Sequence, residues 1–325
     1  MDKIAIMGWG IISELGNDEE EILANWDRKK EITGGSIAFV HKLDPRKIRR
    51  MSRLAKMLTS VSENSLTMAG ESGGENTGII MNTAYGSINV NLDFGKIISE
   101  PELASPMDFA NTVSNAALGH VALYFDLRGP STLLMGSDVI AYSMRQLEKK
   151  EDRAIIVCGG DEYCMPIAHY AQKKYGHSCL GEGVAAILLK RGCKSEWGSI
   201  IGEAQGGLGF FPLYEPCRDV TDAYKRVIKK VLASSGLETN EVDAVFLSSD
   251  PCSGVRTYEE NAVHEIFGKE IPKELIKDRT GESFGASALS SVIAASVMIR
   301  NNRYQRVLVL GLEVSGTLEA FIISK

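Results

Sequence analysis

The sequence predicts a duplicated α/β protein, and three observations carry that reading. Short continuous apolar runs alternate with longer segments of helical periodicity along the chain. Two distant stretches can be laid beside one another. The 325 residues, 44% of them hydrophobic, are enough for two compact units around a filled core.

In chain order the expected strands are Lys3 to Gly8, Thr77 to Met81, Ser131 to Met135, Arg153 to Val157, Val184 to Leu189, Asp243 to Leu247, Arg306 to Leu310 and Leu318 to Ile323. They are continuous apolar runs, the pattern of strands buried on both faces. Between them, Val139 to Lys149, Asp222 to Ser234, Tyr258 to Phe267 and Ala286 to Arg300 carry apolar residues at helical spacing and end in polar or glycine punctuation. The duplication pairs Tyr142-Ser143-Met144-Arg145 and the run Glu151 to Gly159 with Ser296-Val297-Met298-Ile299-Arg300 and the run Tyr304 to Gly311. Each copy is followed by a second strand ending in a basic residue, Lys190 and Lys325. The chain therefore divides into expected halves 1–195 and 196–325. Reactive groups in such a protein gather where the strand ends and helix N-termini of the two lobes converge, which directs attention to Ser137, Ser248 and Glu282.

Composition narrows the function. Forty-two acidic residues against thirty-six basic ones leave a net charge of −6, so nucleic acid is not an expected partner. No window reaches the roughly 18 apolar residues of a membrane helix, and the first residues read as a strand, not as the apolar core of a signal peptide. The expected location is the cytoplasm, with no membrane partner. Cys158, Cys164, Cys179, Cys193, Cys217 and Cys252 form no C-x-x-C pair and have no histidines at ligand spacing, so they read as reduced small hydrophobes. No cofactor or metal is expected.

Gly8-Trp9-Gly10 lacks the third glycine of a dinucleotide fingerprint, because Ser13 stands there. Phosphate-loop, H-E-x-x-H and G-x-S-x-G motifs are missing, and His41, His120, His169, His177 and His264 are scattered. Ser137 and Asp138, between a strand and a helix, read as N-caps. A nucleophile at the same position would gain from the positive end of the helix.

The run Phe109 to Ala122, followed by Leu127-Arg128-Gly129-Pro130-Ser131, resembles the segment leading to the active site in β-ketoacyl-acyl carrier protein synthases. Further matches follow in the family's order: Ile4 to Ser13 with Leu15-Gly16, Gly181 to Leu189, Gly236 to Val245, and Lys277 to Glu282 through Gly285-Ala286. The resemblance implies the thiolase fold, two similar α/β halves in a five-layered αβαβα sandwich.

It also implies a degenerate member. The family's nucleophilic cysteine is replaced in the turn Gly136-Ser137-Asp138. Its first histidine, in H-G-T-x-T, is replaced in Ser248-Ser249-Asp250-Pro251-Cys252, with Glu259 still in register. The second, in K-x-x-x-G-H, is replaced by Glu282, while Lys277 is retained. Condensation needs a thiolate to hold the acyl chain and imidazoles to stabilise developing charge. An ionised Glu282 beside an enolate would repel it by about 4 kcal/mol at an effective dielectric near 20, about three decades in rate in the wrong direction. No independent condensing activity is expected, and Lys277 is expected to offset Glu282 as a structural pair.

Such a chain resembles the chain-length factor of a type II polyketide synthase. That subunit forms a heterodimer with an active ketosynthase, meets the acyl carrier protein through the complex, and shapes the product tunnel. Asn115, Leu133 and Met135 are the expected seam residues, with the strand Ser131 to Met135 pairing across the two-fold. Serine, where chain-length factors often carry glutamine, is a departure, and the chain is short between Arg300 and its final strands. Two alternatives stand beside this reading. One is an acyltransferase or hydrolase with Ser137 as nucleophile and Glu282 or Asp138 as base; the other is a homodimeric acyl-binding module.

Overall fold

The computed structural model describes residues 3–28, 34–98, 105–150, 153–175, 180–250 and 254–325. Its strands are β1 (Ile4–Ile12), β2 (Thr77–Thr83), β3 (Ser131–Met135), β4 (Ala154–Asp161), β5 (Gly183–Arg191), β6 (Ser199–Gly207), β7 (Ala244–Leu247), β8 (Lys273–Leu275), β9 (Arg306–Leu312) and β10 (Thr317–Ser324). All eight expected strands form. Several run further than their apolar cores, because a backbone ladder continues through polar residues: Cys158 to Asp161 still pair with Ala186 to Gly183. Two strands were not expected. β6 contains Gly202, Glu203, Gln205, Gly206 and Gly207, which read as a loop, and β8 is only three residues long.

The strands lie in the order β3-β2-β4-β5-β1-β6-β10-β9-β7-β8. Cut between β1 and β6, each five-strand half has the same arrangement by chain position: third, second, fourth, fifth, first. The directions repeat as well. Parallel β2–β3 and β2–β4 are answered by parallel β7–β8 and β7–β9, and antiparallel β4–β5 and β5–β1 by antiparallel β9–β10 and β10–β6. The duplication is thus written into the topology. The halves share a ladder only at Ile4↔Ile200 and Ala5↔Ser199, so one hydrogen-bonded order bends through a corner into two stacked layers.

Both faces of each half are apolar because successive residues alternate between two cores. In β4, Ile155 and Val157 face the central core while Ile156 and Cys158 face the outer one; in β9, Val307 and Val309 are central and Leu308 and Leu310 outer. The central core takes helices Val139–Leu147 and Ser287–Arg300. Thirteen of the fourteen residues of Ser287–Arg300 are buried, as a helix between two sheets requires, and its many serines and alanines allow close approach. Helices Arg53–Met68 and Ala116–Tyr124 cover the first half, and Thr221–Ser235 and Arg256–Phe267 the second. The result is the five-layered αβαβα sandwich.

One close approach positions the site. A Cβ on Gly159 of β4 would lie 2.1 Å from the carbonyl oxygen of Gly285, and one on Gly285 would lie 2.6 Å from that of Asn82. Backbone contacts this tight press the turn Phe284–Ala286 of the second half against the strand ends of the first.

Candidate functional site

The C-terminal ends of β2, β4 and β9 meet the turn after β3 beneath the segment Lys277 to Ala286. Asn82 links two of these parts: its amide donates to Glu313 Oε2 at 3.0 Å, and its Oδ1 accepts from the Ser137 N–H at 3.3 Å. Gly136 adopts φ +56°, the left-handed turn that directs β3 into helix Val139–Leu147.

Only one of the two expected caps acts as one. The Asp138 carboxylate takes the Ala141 N–H on Oδ1 and the Gln205 amide on Oδ2, both at 2.8 Å, whereas Ser137 contributes its backbone N–H to Asn82. Burial pushes the Asp138 carboxyl up to about 6, against the pull of its two donors. With both oxygens engaged, Asp138 is a structural cap and not a base directed at Ser137.

Glu282 is equally committed. Its Oε2 accepts from Lys277 Nζ at 2.5 Å, and its Oε1 accepts from the Phe284 N–H and the Ser287 hydroxyl, each at 2.7 Å. The expected Lys277–Glu282 ion pair is therefore present. Burial alone would lower the Lys277 ammonium, but the charge of Glu282, the charge of Asp250 and the hydrogen bond to Glu282 outweigh it and hold the group above its ordinary value.

Ser248 lies apart from this cluster. Its N–H and hydroxyl both donate to Glu259 Oε1, at 2.7 and 2.6 Å, and the Ser249 N–H donates to Glu259 Oε2 at 2.9 Å. The Tyr224 hydroxyl pairs with Ser248 Oγ at 3.0 Å. The retained Glu259 closes the turn after β7, so Ser248 is a structural residue of the second half. Ser248, like Ser137, Asp138 and Lys277, is not among the residues that line the cavity. Asp250, two residues on, lines it instead; Pro251 and Cys252 fall outside the described residues.

The cavity among these groups is small, about 20 Å³, with Leu213, Phe284, Leu312 and Val314 on its apolar side and Asp250, Glu282 and Glu313 on its polar side. It has room for about one water molecule. Burial pushes the Glu313 carboxyl up to about 8, with the charges of Glu282 and Asp161 adding to the effect. It is therefore largely neutral at pH 7. The buried Asp161 carboxyl is pushed up to about 6 although the Thr83 hydroxyl and the N–H groups of Ala84, Tyr85 and Gly285 all donate to it. Through these bonds Asp161 ties the loop after β2 to the Phe284–Ala286 turn.

Asn82, Asp161 and Glu313 were not singled out from the sequence. A signal was present: each is a polar group at the end of a continuous apolar strand, where burial is forced and a partner is required. The described residues lining the cavity include no thiol and no imidazole. Burial pushes the Cys158 thiol up to about 12, which makes it unreactive. No group of three or more His, Cys, Asp or Glu among the described residues is arranged to hold a metal ion, and no described helix is long and apolar enough to cross a membrane. Cys179 and His177 lie outside the described residues.

Residues 37–179 match the family model described as Beta-ketoacyl synthase, N-terminal domain. Over these residues the chain is similar to the β-ketoacyl synthases. Across 362 aligned residues, covering 92% of this chain and 86% of the relative, it is 21% identical to a 3-oxoacyl-[acyl-carrier-protein] synthase 2 of Coxiella burnetii (strain RSA 493 / Nine Mile phase I). Among solved structures it superposes on a ketosynthase in complex with its chain length factor from Xenorhabdus doucetiae, with a TM-score of 0.83, 16% identity, and 99% and 98% of the two chains covered. It also superposes on the ishigamide ketosynthase/chain length factor, with a TM-score of 0.79, 18% identity, and 99% of each chain covered. The fold is thus the thiolase-like fold of ketosynthases.

Two of the three expected seam residues, Leu133 and Met135, lie on an edge strand of the sheet. Among the described residues β3 is the terminal strand of the order and pairs only with β2. Met135 is 52% exposed, Asn115 is exposed at the start of helix Ala116–Tyr124, and Leu133 is half-buried against the outer core of the first half.

Proposed function

We propose that the chain is a non-condensing ketosynthase-like subunit, a chain-length factor. It pairs with an active ketosynthase, meets the acyl carrier protein through that complex, and supplies one wall of the product cavity. The observation that supports this reading is the Lys277–Glu282 pair: both oxygens of Glu282, which the resemblance aligns with the second catalytic histidine, are already bonded. The two halves 1–195 and 196–325 then serve as a scaffold, with the first presenting its edge strand to the partner.

Among the described residues the outer edge of β3 is unpaired, which supports the pairing, because a row of backbone donors and acceptors of this kind is completed by an antiparallel strand from another chain. A groove of about 590 Å³ lined by Arg46, Lys47, Arg49 and Arg50 supplies positive charge suited to an acidic or phosphate-bearing carrier. The reading with Ser137 as an acyl-transfer nucleophile is weaker, since the carboxylates of Asp138 and Glu282 are bound elsewhere. The test is co-expression with an active ketosynthase from the same organism. A one-to-one complex is expected, and Leu133→Asp together with Met135→Asp should reduce its recovery at least about tenfold while leaving the subunit folded. A wild-type chain that remains a self-dimer in the presence of that ketosynthase would favour the homodimeric acyl-binding reading.

A further inference from the structure

β10 carries an acid where its neighbours on the same face are apolar. Leu318, Ala320 and Ile322 face the outer core of the second half, so Glu319 shares the central face with Phe321 and Ile323. It is 2% exposed, and among the described residues its Oε1 has no hydrogen-bond partner. The cross-strand neighbours explain how it is housed. On β9 the opposite residue is Gly311, where a Cβ would come 3.1 Å from Glu319 Oε2 and 3.2 Å from the Ala288 Cβ. On β6 it is Gln205, whose amide is given to Asp138 at 2.8 Å. The strands thus leave a niche for this carboxyl without supplying a donor, a placement that is costly for a neutral acid and far more so for its anion.

The groups around it come from both halves. Burial, the charge of Asp138 at the start of helix Val139–Leu147 and the charge of Glu313 after β9 together hold the Glu319 carboxyl well above its ordinary value. The cations that act on these acids are engaged: Lys277 is bonded to Glu282, and Arg145 lies 3.7 Å from Glu203 Oε1. The remaining charged neighbours are acids, Glu203 beside Asp138, and Glu282 and Asp161 beside Glu313. The turn Gly136-Ser137-Asp138 is tied to the second half through this group. The Ser315 hydroxyl donates to the Gly136 carbonyl, the Ser137 N–H donates to Asn82, whose amide donates to Glu313, and Asp138 accepts from Gln205. The ties through Asn82 and Gln205 therefore depend on the same acids that crowd Glu319.

We propose that Glu319, Asp138 and Glu313 form a proton-operated latch between the two halves, which locks the turn between β3 and helix Val139–Leu147 while the acids keep their protons and releases it as the pH rises. Three carboxylates in one buried niche, with the nearby cations engaged, cannot all ionise without moving apart. The part that yields is the turn, because β10 is held by ladders to β6 and β9 on its two sides. Opening admits water to Glu319, which then loses its proton. An acid raised in the closed state favours that state while protonated, and the advantage is lost as the pH rises. For each proton released on opening, the open population grows about tenfold per pH unit above the acid's ordinary range. Since the turn follows directly on Met135, its release also loosens the edge strand. The consequence for the partner rests on the pairing proposed above, whereas the latch belongs to this chain alone.

The test is hydrogen–deuterium exchange of the purified full chain between about pH 6 and 8, with each rate corrected for the intrinsic pH dependence of amide exchange. It requires no ketosynthase, so its outcome is separate from that of complex formation. Wild type is compared with Glu319→Gln and with Glu319→Met, which fills the niche without a polar atom and serves if the amide variant does not fold. The latch predicts that residues 131–147 exchange ahead of the buried helix Ser287–Arg300 and that their protection falls with pH in wild type. In either variant the fall should be shallower by about tenfold per pH unit. Equal slopes for residues 131–147 in wild type and the folded variants would overturn the latch. Exchange of residues 131–147 only together with Ser287–Arg300 would overturn the local opening.

Discussion

Replacing Lys277 with methionine is expected to destabilise the protein by about 3–5 kcal/mol, because it leaves Glu282 buried without its counter-ion. Lys277 is 2% exposed, and its ammonium lies 2.5 Å from Glu282 Oε2, so solvent cannot take its place. The companion variant Lys277→Met/Glu282→Gln should recover most of the loss, since it removes both charges together. Urea unfolding of the single and double variants measures the effect. Unchanged stability in Lys277→Met would show that the pair has no structural role.

The second large effect is a dependence of stability on pH set by Glu313. Its folded carboxyl titrates near 8, above the ordinary 4.5, because it is buried. A raised acid favours the folded state while protonated. Its contribution is fully present below the unfolded value and is lost as the pH rises through the folded one. Between pH 5 and 9 the loss attributable to this group is about 4 kcal/mol. Asp138 and Asp161, each near 6, contribute at the lower end of that window. Glu313→Gln keeps an amide in the same space and should flatten the curve, so the stability difference between variant and wild type should move in favour of the variant as pH rises. Parallel curves for the two proteins from pH 5 to 9 would show that Glu313 does not titrate in this range.

Much of this architecture could be read from residues alone, for identifiable reasons. Strands buried on both faces must be continuously apolar, so Ile155-Ile156-Val157 and Val307-Leu308-Val309-Leu310 marked themselves, and their repetition announced the duplication that the strand order shows. β6 was hidden because its ladder partners supply what its glycines and polar side chains do not: Gly202, Glu203 and Gln205 pair with Ile322, Phe321 and Glu319 of β10. The Lys277–Glu282 pair could be anticipated because the two residues are close in sequence and opposite in charge. The bonds of Ser248 to Glu259 and Tyr224 could not be read from its motif, because a motif position fixes the backbone but not the partners of a side chain. Asn82, Asp161 and Glu313 lie far apart in the chain, and only the pressing of the two halves at Gly159 and Gly285 makes them neighbours.

The central claim is that this subunit keeps the ketosynthase fold without its condensing chemistry. The most direct measurement is elongation of malonyl units on an acyl carrier protein by the purified chain alone, beside the same assay with its co-purified ketosynthase partner. The account predicts no elongation by the chain alone and elongation only in the complex. Appreciable turnover by the isolated chain would contradict it.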